Sequence, residues 1–202
     1  MALVKHTNNS LSNITALPSA VPTGKMTLLS TATASSSANI TFNESLITDD
    51  YLIYKFEFIN IHPSADGSAL QVNFRDGGSA YDATKTTTYF LSRHAEDGSS
   101  SELSYKTGLD LAQSTAVQKL TVDADNDNDS SQSGEMFLFN PSSTVFIKHF
   151  ISRIQTVQTN AQSMENYASG YCNVTAAIDA VQFTSSSGTL DAGQIKLYGL
   201  AN

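Results

Sequence analysis

Tyr51–Ile61, YLIYKFEFINI, decides the fold of this chain. Aromatic and β-branched residues crowd it. Strict alternation places Leu52, Tyr54, Phe56 and Phe58 on one face and Ile53, Lys55, Glu57 and Ile59 on the other. That period of two describes a β-strand with one face in a core. His62-Pro63-Ser64-Ala65-Asp66-Gly67 follows as a turn, because proline removes a ladder donor and Asp-Gly tolerates positive φ. Leu70, Val72 and Phe74 then alternate with Gln71, Asn73 and Arg75, a second half-buried strand that predicts a hairpin with the first.

Working outward, the same signature predicts strands over 86–92, 116–122, 135–139, 145–154, 168–173, 178–184 and 193–200. Gly, Ser, Asn and Asp separate them. The fold expected is all-β, an antiparallel β-sandwich of jelly-roll-like form, occupying residues 41–202. Only Ser101–Ser114 has any helical promise; Gly108 and weak periodicity limit it to one turn in a loop.

Residues 1–40 have neither period. Pro18, Pro22 and the run Thr31–Ala38 mark them as an extended N-terminal arm, with too few large apolar groups to order itself. A partner or neighbouring subunit is expected to order it. The apolar side chains available for such assembly are Leu3, Val4, Leu11, Ile14, Leu17 and Val21.

The 202 residues carry 11 Lys and Arg against 19 Asp and Glu, a formal charge of -8, with the cations scattered. No counterion-releasing basic surface is on offer, so nucleic acid is not an expected partner. The start Met-Ala-Leu-Val-Lys-His has no basic and apolar signal-peptide pattern, and no run approaches the roughly 18 apolar residues of a membrane span. A soluble product made in a cytoplasm, without membrane insertion, is the expectation.

Cys172 is the only cysteine, so an intrachain disulfide and a cysteine-rich zinc site are excluded. It reads as a thiol packed like a small apolar residue. His6, His62, His94 and His149 lie far apart, with no pair spaced to share a metal. Asp123, Asp125, Asp127 and Asp129 put four carboxylates into seven residues, which raises calcium. As an EF-hand loop the register fails: Asn128 stands at the sixth position and Gly134 at the twelfth, where glycine and glutamate are needed. A solvated acidic loop is the competing reading, and no cofactor is expected.

No Gly-x-Ser-x-Gly elbow and no phosphate-cradling glycine loop occurs, so the chain reads as a non-enzyme. Two of its 19 acids meeting as a glycosidase pair is the one catalytic alternative left open. Tyr81, Tyr89, Tyr105, Tyr167 and Tyr171, in or near expected loops, are core residues or stacking rings for glycans.

The stretch Ile40–Phe74 resembles a module of bacteriophage virion-surface proteins, common in marine phages: Tyr-x-x-Tyr-x-Phe-x-Phe-x-Asn-Ile-x-Pro, then a glycine turn. The run Ile178–Leu200, IDAVQFTSSSGTLDAGQIKLYGL, is similar to the terminal hairpin of the same proteins, with Gly188 and Gly193 permitting its geometry. These are packing and turn motifs, so the resemblance implies a fold and a setting. It implies a structural component of a virion, either capsid decoration or tail fibre or spike, attached by its arm to other virion proteins. A homo-oligomer, by analogy a trimer, is the expected state, and a host surface glycan is the alternative partner.

Overall fold

A computed structural model describes residues 26–200. Twelve strands make up the described chain: β1 (Met26–Thr33), β2 (Asn39–Phe42), β3 (Ile53–Pro63), β4 (Leu70–Arg75), β5 (Lys85–Ala95), β6 (Ser101–Tyr105), β7 (Gln118–Lys119), β8 (Gln132–Phe139), β9 (Lys148–Gln158), β10 (Gln162–Cys172), β11 (Ala180–Ser185) and β12 (Leu190–Leu200). They form two antiparallel sheets packed as a sandwich. The larger has the order β1-β12-β3-β8-β9-β10-β5-β6, the smaller β2-β11-β4-β7.

The all-β sandwich expected from the alternation is therefore what the chain forms. Tyr54, Phe56 and Phe58 are buried, facing the small sheet as their spacing predicts. Phe183 of β11 meets Phe56 and Phe58 edge-on, each at 5.2 Å between ring centroids, and Phe42 of β2 meets Phe56 at 5.5 Å. Such edge-to-face packing uses the positive rim and negative face of each ring. At Asn60, with φ near 50°, β3 bulges against β8, and the inward phase moves from Phe58 to Ile61. Gly193 of β12 lies opposite this bulge. Its φ is 102°, and a Cβ there would stand 2.3 Å from the carbonyl oxygen of Asn60, so only glycine fits.

Two expected hairpins are not hairpins. β3 belongs to the large sheet, whereas β4 pairs with β11 and β7 in the small one. β11 and β12 are likewise split between sheets. The turns are where expected, Gly67 having φ 68° and Gly188 φ 65°, but each carries the chain across the sandwich. Their backbone groups bond to other loops: Gly67 N–H donates to Ala124 O, and Ser64 N–H to Thr189 O.

β1 to β4 thus alternate between the two sheets, as do β10 to β12. Four strands of the large sheet, β1-β12-β3-β8, interleave in sequence with all four of the small sheet. The other four, β9-β10 and β5-β6, are true hairpins that widen the large sheet beyond β8.

Residues 26–40, read from sequence as arm, supply β1 and the start of β2. The folded domain therefore includes at least residues 26–40. MTLLSTAT has little burial of its own; pairing with β12 makes it a strand. Leu3, Val4, Leu11, Ile14, Leu17 and Val21 lie outside the described residues. Within Ser101–Ser114 the first five residues are β6, and the loop that follows holds a single turn at 107–109.

Candidate functional site: the outer face of the large sheet

Residues paired across neighbouring strands share a face, so the register assigns the outer surface row by row. Tyr105 of β6 pairs with Phe90 of β5, Phe90 with Tyr167 of β10, and Tyr167 with Arg153 of β9. The row continues through Glu135 and Glu57 to Lys196. A second row runs from Thr88 through Ser169, Ile151 and Phe137 to Lys55 and Tyr198. In a third, Tyr171 separates Thr86 from His149.

This surface is unusually apolar for the outside of a sheet. Leu103 is 75% exposed, Ile151 53%, Leu28 52%, Tyr105 50% and Phe90 40%. Phe90 and Tyr167 stack in parallel, 4.5 Å apart and 7° from coplanar. The Arg153 guanidinium lies 5.7 Å from the centre of the Tyr167 ring and is hydrogen-bonded to Glu165. That pairing raises the Arg153 pKa and holds the Glu165 carboxyl below its ordinary value.

The charges on the face are Lys55, Arg153 and Lys196 against Glu57, Glu135 and Glu165, so it has no net charge in a chain carrying -8. Lys55 Nζ is 3.0 Å from Glu135 and 3.8 Å from Glu57. Tyr198 donates its hydroxyl to Glu57 at 3.1 Å. A depression of about 470 Å3 opens among Glu57, Glu135, Arg153 and Glu165. The two carboxylates that β3 and β8 bring together are thus bridged by an ammonium, which offsets one of their two charges.

A groove of about 420 Å3 lies farther along β10, walled by Tyr171, His149 and Ile151 and floored by Gly170. The His149 and Tyr171 ring centres are 6.1 Å apart. At its rim, the hydroxyl oxygens of Thr88 and Ser169 are 2.9 Å apart and hydrogen-bonded.

Of the five tyrosines picked from sequence, Tyr105, Tyr167 and Tyr171 lie on this face. Tyr89 is buried, donating to Asn166 Oδ1 at 2.7 Å, and burial pushes its phenol upward in pKa. Tyr81 stands elsewhere, beside Arg75. Phe90, Ile151 and Arg153 were not singled out. Their signal was parity: each occupies the outward phase of a strand whose inward phase is already filled.

The acidic loop is drawn inward on itself. Asp125 accepts the Ser130 hydroxyl at 2.6 Å and the Asp127 N–H at 3.3 Å, while Asp123 accepts from Gln158 at 3.3 Å. Asp125, Asp127 and Asp129 share a shallow depression. Among the described residues, no three His, Cys, Asp or Glu side chains converge in a way that holds a metal ion.

Cys172 is wholly buried, as its sequence reading expected. Its cross-strand neighbours Lys85 and Lys148 are also buried. Lys85 Nζ donates to Asn73 Oδ1 at 2.6 Å and to Ala83 O at 2.8 Å; Lys148 Nζ donates to the carbonyls of Val174 and Ala176. Burial pushes the thiol up to about 12 despite the two ammonium groups, so it is protonated at neutral pH and a poor nucleophile. Searches among protein-family models, curated proteins and solved structures returned no match to this chain.

Proposed function

We propose that this chain is a non-enzymatic structural protein of a bacteriophage particle. Residues before Met26 attach it to other virion proteins, and the outer face of the large sheet is turned to a partner. The observation that carries the reading is that face: an eight-stranded surface, without net charge, bearing Leu103, Ile151, Tyr105 and Phe90 in the open. Extended exposed apolar surface marks interaction sites in soluble proteins. The resemblance of Ile40–Phe74 and Ile178–Leu200 to virion-surface proteins supplies the setting.

Two further features support a binding role over catalysis. Lys55 occupies the space between Glu57 and Glu135, and Cys172 is protonated and enclosed. The interleaving of β1-β12-β3-β8 with β2-β11-β4-β7 supports reading the sandwich as a jelly roll, with β5-β6 and β9-β10 as inserted hairpins. Jelly rolls serve both as viral capsid domains and as lectins, an analogy at the level of fold.

The test is mass spectrometry of purified particles from the phage that encodes the chain. The protein is expected in the virion at defined copy number as a homo-oligomer, a trimer by analogy, and lost from it when residues 1–25 are deleted. Its absence from particles, or incorporation without those residues together with a monomer at high concentration, overturns the reading. A second reading, attachment to a host surface glycan, is favoured by the rings gathered on β5, β6 and β10.

A further inference from the structure

We infer that the outer side of β10 is a binding track for an uncharged carbohydrate chain lying along the strand, with Tyr171 as its stacking platform and the edge of Tyr167 as the rib it rests against. This deepens the glycan reading and rests on it. Tyr171, Ser169 and Tyr167 are successive outward residues of β10, about 6.7 Å apart at the rise of a strand, so the two rings are separated by about 13 Å. A ring, a hydroxyl and a ring therefore follow one another in a line.

A pyranose has a face of C–H groups, electropositive against the negative face of an aromatic ring, and a rim of hydroxyls that both donate and accept. The groove beside Tyr171 offers both halves of that match. Tyr171, His149 and Ile151 supply the apolar wall, and the Thr88 and Ser169 hydroxyls the polar rim. The volume of about 420 Å3 falls within the range of small-ligand sites.

The absence of charge selects the ligand class. No Asp, Glu, Lys or Arg lines this groove, although the chain carries -8 overall. An anionic ligand gains nothing here and meets the repulsion of the whole molecule; a cationic peptide finds no carboxylate. Toward Tyr167 and beyond it charge appears in pairs, Arg153 with Glu165 and Arg93 with Glu102. Both faces of the Tyr167 ring have neighbours, Phe90 on one and Arg153 on the other, which fixes it upright as a rib. Past it, Ser92, Arg93, His94, Gln155, Ser163 and Glu165 border a further hollow of about 270 Å3 that continues the line.

The experiment titrates the full chain, labelled with 15N, with neutral hexaoses of glucose, mannose, galactose and N-acetylglucosamine, and with an oligogalacturonate hexaose as the anionic comparison. At least one neutral hexaose is expected to bind saturably and shift the amides of 149–151 and 167–171. Tyr171→Ala and Tyr167→Ala should each weaken it about tenfold; Tyr81→Ala, off the track, should not. The inference is overturned if no neutral hexaose binds at about 10 mM, if the anionic one binds as tightly, or if Tyr171→Ala binds unchanged. Unchanged amide spectra of both variants without sugar separate lost binding from lost fold. If instead Tyr171→Ala alters the sedimentation coefficient and no sugar binds, the face joins copies of this chain and the track is refuted. Finding the protein in virions is independent of all these outcomes.

Discussion

The interleaved strands and the added hairpins bury their inner faces in different ways. Between β3, β2 and β11 the interior is a set of phenylalanine rings packed edge to face. Under β9, β10 and β5 it is threaded with polar groups: Lys85, Thr87, Lys148, Ser152, Thr156 and Asn166 are all buried. There Asn166 accepts from Tyr89 and donates to Ile154 O at 3.2 Å and Thr156 Oγ1 at 3.3 Å, and Thr87 donates to Gln118 Oε1 at 2.6 Å. Apolar packing is tolerant of small shifts, whereas a buried hydrogen-bond network fixes positions and penalises loss of any member. The hairpins carrying the exposed rings are thus held by geometry more than by bulk.

Substitutions that separate the two regions test this contrast. Phe56→Ala removes a ring that contacts Phe42 and Phe183 and should cost about 3–5 kcal/mol in urea denaturation, whereas Phe90→Ala on the outer face should cost below about 1 kcal/mol. Near-equal losses would dissolve the distinction. Asn166→Ala leaves the buried Tyr89 hydroxyl without its acceptor and should cost about 1–3 kcal/mol. Hydrogen exchange should then quicken in β5, β9 and β10 while β3 and β11 keep their protection; uniform quickening would make the sandwich one cooperative unit.

A finer probe is Cys172, buried between the two hairpins' lysines. Its alkylation by iodoacetamide at pH 8 should be far slower than that of a free thiol, because the thiol is protonated and enclosed. If alkylation nevertheless outruns global unfolding measured in parallel, the hairpins open on their own.

The smallest effect belongs to Glu102 on β6. Lys106, with Ser104 and Arg93, holds its pKa down to about 2, against an ordinary 4.5. A carboxyl with a lowered folded pKa adds stability above its unfolded value, and that increment disappears as pH falls from 4.5 toward 2. Glu102→Gln should flatten a small part of the acid decline in denaturation curves at pH 5, 4 and 3. A decline identical to that of the parent would show the ion pairs to be energetically silent, as exposed ones often are.

The fold was legible where a strand carried its pattern within itself. Tyr54, Phe56 and Phe58 announced a buried face, and Leu70, Val72 and Phe74 another. What joined them was not legible, because a hairpin and a crossing between sheets share the same local signature: two alternating strands and a Pro- or Gly-containing turn. Only the competition for partners decides, and β3 prefers β12 and β8, far away in sequence. β1 was invisible for a related reason, its strand character being lent by β12. On the outer face, the tyrosines stood out as chemical types, while nothing local distinguished Ile151 and Phe90, which only the register turns outward.

The crossing of the chain between sheets also sets an order of events during synthesis. β1 pairs only with β12, and β2 only with β11, among the described strands. β1 and β2 must wait for residues 180–200 before they find these partners, and loop closures of that span make for slow folding. The hairpins β5-β6 and β9-β10 have their nearest partners at hand and are able to form first. Until the final strand emerges, β1 and β2 are unpaired edges open to another chain, so a nascent neighbour competes with the chain's own end for them.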